Sequence, residues 1–177
     1  MYFDAFPVIP YDAKGDLNFK DVTNLLRRVG MRAKLKSQTL LYDTYDVKEG
    51  ETPEMIAHKL YGDAELHWVI LLINDITDRY HQWPMSGMQF LGYINDKYSN
   101  VDGIHHYEST QTSGDTKVKI EVFNEVDDDA YTGLTPITNR EYEEQEQDKR
   151  RQIRLLDPSF VEQFTDEYQK LIGETAI

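Results

Sequence analysis

The sequence predicts an α+β fold in which a small βααβ module follows an extended N-terminal arm and is accompanied by an inserted β-hairpin and C-terminal helices. Three observations predict it. The run TLLYDTYDV, residues 39–47, is rich in the β-branched and aromatic residues that strands favour. Two helix patterns with their own start and stop signals follow it directly. Further along, KVKIEVF, residues 117–123, alternates apolar and polar residues as a half-buried strand does.

The two helices of the module begin and end at recognisable residues. Thr52 and Pro53 open the first helix, because threonine caps free backbone N–H groups and proline suits the first helical position. Gly62 ends it, since glycine tolerates the left-handed conformation found at C-caps. Asp63 caps a second helix, which runs to Asn74 and is apolar on most sides, so we expect it to be largely buried. The predicted core of the module comprises Tyr45, Val47, Ile56, Ala57, Tyr61, Leu66, Trp68, Val69 and Ile73.

Beyond the module, a third helix is predicted from Ser86, and the strand at residues 117–123 is expected to pair with residues 104–108 as a hairpin. Thr138 and Glu141 form a capping box. The helix that they open, EYEEQEQDKRR, is polar almost all round, so it is expected to bridge elements in solvent or to pack on a partner.

The end of the chain contains a short apolar run, residues 153–156, that is a plausible strand. Asp157 and Pro158 then start an amphipathic helix. The segment from Thr138 onward is predicted to be an assembly surface, because arginine and apolar side chains are enriched where proteins meet. Its candidate interface residues are Arg151, Arg154, Leu155, Phe160, Phe164, Tyr168 and Leu171. The alternative is that the apolar stripe of the last helix folds back on the module.

Four segments are predicted along the chain. Residues 1–38 form an N-terminal arm, in which residues 21–36 fit either a helix or a strand. Residues 39–98 form the module and the helix after it, residues 99–137 an irregular region with the hairpin, and residues 138–177 the helical assembly segment.

Composition excludes several classes of function. The net charge of −13 argues against nucleic acid as a partner, because phosphate binding needs a basic surface. No cysteine is present, which excludes disulfides and thiol nucleophiles. The longest apolar run, residues 68–73, is far shorter than the roughly 20 residues that span a bilayer, so no membrane partner is expected.

The sequence shows no phosphate-binding loop, nucleophile elbow or zinc-protease motif, so neither a catalytic site nor a cofactor is predicted. His105 and His106, with Asp102 and Glu108, are candidate metal ligands by residue type. Adjacent strand residues point to opposite faces, so the two histidines are not expected to share an ion, and no metal is predicted.

Several module residues resemble the LysM family, in which a strand of Tyr-x-Val type leads to a Gly-x-Thr turn, an Ile-Ala helix, a Tyr-Gly turn and a second helix ending in Asn. The residues that carry the resemblance are Tyr45, Val47, Gly50, Thr52, Ile56, Ala57, Tyr61, Gly62 and Asn74. Leu66, Trp68, Val69, Tyr80 and Trp83, with the tail KRRQIRLL at residues 149–156, resemble more narrowly the wedge subunits of T-even-type phage baseplates. This resemblance covers roughly residues 40–98 and 140–172.

The resemblance implies a structural subunit and not an enzyme. Such a subunit would bind other baseplate wedge proteins and join neighbouring wedges into the ring around the hub. It would reside in the virion tail baseplate, and in the host cytoplasm during assembly. The alternative is a LysM-type module that binds peptidoglycan; a lysozyme-like hydrolase is a third reading, with no catalytic motif behind it.

Overall fold

The computed structural model describes residues 2–30, 41–110, 117–121 and 134–174. It contains two compact units: Met1–Trp83 together with Gln152–Ile177, and Pro84–Arg151. Helices and strands occur in both units, which confirms the α+β class. The units group the chain differently from the four predicted segments, whose boundaries remain a prediction.

The first unit contains a two-stranded antiparallel sheet. Strand β3, Tyr42–Asp46, pairs with β7, Gln152–Leu156, a strand that follows the whole of the second unit along the chain. Between the two strands in sequence come helix α1, Pro53–Tyr61, a short 3-10 helix, Ala64–Leu66, and helix α2, His67–Ile73. Both helices contribute apolar side chains to the core clusters that also contain β7 residues.

Alternation along β7 explains why this strand is held in the core. Ile153 and Leu155 are each 4 % exposed, whereas Arg154 between them is exposed. Since successive strand residues point to opposite faces, Ile153 and Leu155 share one face, which packs on α1 and α2. Tyr45 lies opposite Ile153 on β3 and packs on the same cluster. The predicted strand at residues 153–156 is therefore confirmed, and its partner is β3.

The predicted caps of the module are confirmed. The Thr52 side chain accepts a hydrogen bond from the Met55 N–H at 3.3 Å. Gly62 has a φ of 77°, the left-handed conformation that lets α1 end there. The Asp63 carboxylate accepts from the Glu65 N–H at 2.8 Å and starts the next helical turn.

The N-terminal arm belongs to the first unit and contains a hairpin. After a 3-10 helix, Tyr2–Ala5, strand β1, Val8–Tyr11, pairs antiparallel with β2, Lys20–Thr23. Residues 21–23, which fit either a helix or a strand by sequence, form a strand as part of β2. Residues 31–36 lie outside the described part of the chain. So do residues 39–40 of the predicted first strand.

The C-terminal end of the chain also belongs to the first unit. Helix α6, Pro158–Gly173, begins at Asp157, whose carboxylate accepts from the Ser159 N–H at 2.8 Å as predicted. Phe6, which ends the first turn of the arm, packs in a core cluster with Tyr168 and Ile172 of α6. A four-residue helix, α3, Arg79–Gln82, precedes the buried Trp83.

In its described residues, the second unit combines two helices with a three-stranded antiparallel sheet. Helix α4 spans Gly87–Lys97, β4 Ile104–Thr110 and β5 Lys117–Glu121. The pairing of β4 with β5 confirms the predicted hairpin. Strand β6, Thr135–Thr138, pairs with the other edge of β4 and leads into helix α5, Asn139–Arg151.

We predict that the buried face of β7, formed by Ile153 and Leu155, is required for the stability of the first unit. Ile153→Ala should lower the free energy of unfolding by about 2–5 kcal/mol, because it leaves a cavity in the core. Gln152→Ala, on the exposed face of the same strand, should change it by no more than about 0.5 kcal/mol. Denaturant unfolding of both variants tests this; equal effects would show that β7 does not pack as described.

Candidate assembly surface

The side chain of Asn74 fastens the end of α2 to β7. Its Oδ1 accepts from the Arg154 N–H at 2.9 Å, and its Nδ2 donates to the Arg154 carbonyl at 2.8 Å. The amide thus pairs with one residue of β7 as a neighbouring strand would. Nδ2 also donates to the Ile70 carbonyl at 2.9 Å, which holds the last turn of α2.

Two aromatic side chains secure the same module from other sides. The Tyr61 hydroxyl donates to the Leu156 carbonyl at 3.1 Å, and burial raises the pKa of Tyr61 to about 12, so it remains a neutral donor. The Trp83 indole N–H donates to the Glu51 carbonyl at 2.9 Å, while the ring is 6 % exposed. The Glu51 carboxylate in turn accepts from the Tyr45 hydroxyl at 2.8 Å. These bonds connect α1 with β7 through Tyr61. They also connect β3, the turn at Glu51 and Trp83, the residue after α3.

The predicted core residues lie at two depths. Five of them are at most 2 % exposed: Val47, Ile56, Ala57, Val69 and Ile73. Four are partly buried and pack against the core clusters: Tyr45, Tyr61, Leu66 and Trp68. The Trp68 ring lies 4.4 Å from the Tyr168 ring and 6.2 Å from the Phe164 ring, measured between centroids. Trp68 is therefore one of the residues through which α6 packs on α2, together with Val69 and Ile73, which cluster with Val161.

Much of the apolar stripe of α6 is used within the first unit. Tyr168 is 4 % exposed, and Val161 and Ile172 on the same side are also buried. Phe164 is half-buried against Trp68. Leu155 on β7 is equally inaccessible. Of the candidate interface residues, Leu155 and Tyr168 therefore contribute to the fold itself, as in the alternative in which the stripe folds back on the module.

The remaining candidate residues of the first unit are accessible. Arg154 is exposed on the outer face of β7, with its guanidinium carbon 5.8 Å from the centre of the Tyr42 ring. Phe160 and Leu171 on α6 are 37 % and 42 % exposed. The accessible part of the candidate surface thus combines a guanidinium on the sheet with two apolar side chains on the last helix. Arg151 lies in the second unit, half-buried, 3.8 Å from the Asp148 carboxylate.

The polar helix α5 is seated in the second unit by buried polar contacts. Glu143 is 2 % exposed and accepts hydrogen bonds from Lys97 Nζ at 2.6 Å and from the Tyr98 hydroxyl at 2.7 Å. Gln147 is 4 % exposed, and its Oε1 accepts from the Met85 N–H at 2.9 Å. The expectation that this helix bridges elements in solvent is wrong, because buried polar side chains take the place of the missing apolar stripe. That it also packs on a partner stays a prediction.

The electrostatics of Glu143 follow from these contacts. Burial alone raises the pKa of its carboxyl group, but the hydrogen bonds from Lys97 and Tyr98 outweigh burial, and the pKa is held below its ordinary 4.5. Against the opposing effect of burial, the contacts with the Glu143 carboxylate and the Tyr93 hydroxyl raise the pKa of Lys97. Glu143 and Lys97 are consequently both charged at neutral pH.

His105 and His106 lie together, contrary to the prediction that they point to opposite faces. The register between β4 and β6 shifts between Ile104 and His106, and such a bulge breaks the alternation of side chains. Their Nδ1 atoms are 2.8 Å apart, so one ring donates to the other, and the His105 ring stacks on Tyr142 at 3.9 Å. Asp102 instead faces Arg140, at 3.4 Å. Within the described ranges, no group of three or more acidic, histidine or cysteine side chains is arranged to hold a metal ion.

Comparison with known proteins identifies the family. A model of the family "Base plate wedge protein 53" matches residues 1–120. The chain belongs to this family. Membership confirms the resemblance to phage baseplate wedge subunits. The matched residues include α1 and α2 but not β7 or α6.

One curated relative is Baseplate wedge protein gp53 of Enterobacteria phage T4, which is 38 % identical over 60 residues. The match covers 34 % of this chain and 31 % of the T4 protein, so the chain spans about a third of the length of that relative. No helix in the described part of the chain is both long and apolar enough to cross a membrane.

We predict that the Glu143 carboxylate stabilises the second unit in a pH-dependent way. Because folding lowers its pKa, the stabilisation is present above pH 4.5 and is lost as the pH falls through the folded value. Glu143→Gln should lower the free energy of unfolding by about 1–3 kcal/mol at pH 7, and the difference from the unaltered protein should shrink below pH 4.5.

Glu144→Gln, an exposed neighbour on α5, is the matched control and should have little effect at either pH. Chemical denaturation at several pH values measures both variants. A Glu143→Gln effect that stays constant from neutral to acidic pH would contradict the assignment.

Proposed function

We propose that this chain is a non-enzymatic subunit of a contractile phage tail baseplate that binds other wedge proteins and helps neighbouring wedges join into the ring around the hub. The observation that carries the proposal is the family match, which covers the N-terminal arm and the whole of α1 and α2. Its relative in phage T4 is named a baseplate wedge protein.

We further propose that the first unit contains a LysM-like module that serves as a protein-binding block. Support comes from the element order: β3, two short helices and an antiparallel second strand, β7. Asn74 at the end of α2 bonds to that second strand, which gives this residue of the LysM pattern a structural purpose. The closing strand follows the second unit along the chain, so the module carries a large insertion in its sequence.

The proposed partners are proteins, for physical reasons. A net charge of −13 disfavours nucleic acid as a partner. The protein would act in the virion baseplate and would reach it by assembly in the host cytoplasm. The accessible candidate residues Arg154, Phe160 and Leu171 would supply part of the contact, because arginine and aromatic side chains are enriched at protein interfaces.

We predict that the chain co-elutes with at least one other wedge protein of the same phage after co-expression and size-exclusion chromatography. The double variant Arg154→Ala/Phe160→Ala should weaken that complex about tenfold or more, as loss of interface anchors does. Gln152→Ala/Gln163→Ala changes exposed neighbours on the same two elements and should leave binding unchanged.

Purified sacculi provide the counter-test. The chain should remain in the supernatant when it is mixed with them and sedimented. Retention on sacculi without binding to any wedge protein would overturn the proposal and favour the peptidoglycan-binding alternative.

A further inference from the structure

An open groove of about 580 Å³ lies in the first unit between the N-terminal arm and helix α2. Its walls are mostly apolar. The arm contributes one side, and α2 and the residues after it contribute the other. The principal apolar residues are Phe3, Leu25, Trp68, Leu71, Leu72 and Ile76.

Apolar surface remains uncovered at this groove. Phe3 is 56 % exposed and Leu25 is 60 % exposed, although both lie beside Trp68 and the apolar residues of α2. Contiguous apolar surface of this kind is characteristic of interaction sites in soluble proteins, because leaving it in water costs free energy. The groove therefore has the properties of a docking site for an apolar segment.

The charges at the groove specify what else that segment carries. Arg27 and Arg28 both line it, and none of the described lining residues has a carboxylate. Arg27 donates to the Leu171 carbonyl at 3.4 Å, while Arg28 is exposed and has no ion pair within the described ranges. In a chain whose net charge is −13, this local excess of positive charge is unusual and favours carboxylates as ligands.

We propose that the groove binds an apolar segment that carries acidic residues and belongs to another protein of the baseplate. Its apolar side chains fill the space between Leu25 and Trp68, and a carboxylate pairs with Arg28. Nucleic acid does not fit, since most of the lining offers no partner for phosphate. The inference rests on the proposed function, because that function supplies the class of partner.

Two neighbouring leucines provide a matched steric and electrostatic test. Leu25 lines the groove, whereas Leu26 is 91 % exposed and does not line it. Leu25→Asp places a carboxylate where the acidic segment binds and should weaken binding to a wedge protein about tenfold or more, whereas Leu26→Asp should bind like the unaltered chain.

Two basic residues of the arm give a second pair. Arg28→Glu reverses the charge at the groove and should weaken the same complex to a similar extent. Lys14→Glu makes the same change in the loop of the hairpin, away from the groove, and should not. All four side chains are exposed, so each variant should retain the circular dichroism spectrum and melting temperature of the full chain.

Dissociation constants are measured with each purified wedge protein of the same phage as the probe. Selective loss of binding in Leu25→Asp and Arg28→Glu supports the proposal. If the members of each pair behave alike while the unaltered chain binds, the groove is not the site, although the proposed function stands. If the unaltered chain binds no wedge protein, both fail. If the chain self-associates and Leu25→Asp abolishes this, the occupant is a second copy, and the proposal is overturned.

Discussion

The first unit depends on the pairing of β3 with β7, two strands separated in sequence by the entire second unit. A two-stranded sheet is marginal in water by itself. Here one face is covered by α1 and α2, and the side chains of Asn74 and Tyr61 bond directly to the β7 backbone. The apolar sides of α1 and α2 pack on residues of β7, so neither helix is fully buried without that strand. The fold of the unit is therefore non-local, although each of its elements is short.

The second unit shows a different way to hold a helix. Helix α5 has almost no apolar face, yet Glu143 and Gln147 are buried and hydrogen-bonded to side chains and backbone of neighbouring elements. A buried carboxylate is tolerated only when its charge is compensated, and Lys97 and the Tyr98 hydroxyl supply that compensation. Such a helix is bound by a few directional contacts, so its position is specified more by geometry than by the area that it buries.

Local features were predictable from the sequence, and long-range ones were not. The caps at Thr52, Gly62 and Asp157 depend on side chains within a few residues, so the pattern alone located them. The partner of β7 depends on which surface α1 and α2 leave uncovered, and nothing in residues 152–156 encodes that. Strand β6 escaped prediction because TPIT is short and contains a proline, and it exists as an edge strand beside β4. The bulge at His105 likewise arises from pairing and not from local sequence.

Long-range packing, which the sequence does not reveal, also determines which side chains of the C-terminal segment stay accessible to a partner. An amphipathic stripe in a sequence indicates only that something covers it, and in α6 the cover is Trp68, Phe6 and the end of α2. The apolar side chains proposed for assembly are ones that the fold leaves accessible, namely Phe160 and Leu171 on the outer side of α6 and Phe3 and Leu25 on the arm. Because arm and last helix meet in one unit through Phe6 and Tyr168, a protein that binds either surface acts on the same folded body. The proposed assembly contacts therefore depend on the packing that closes the unit and do not compete with it.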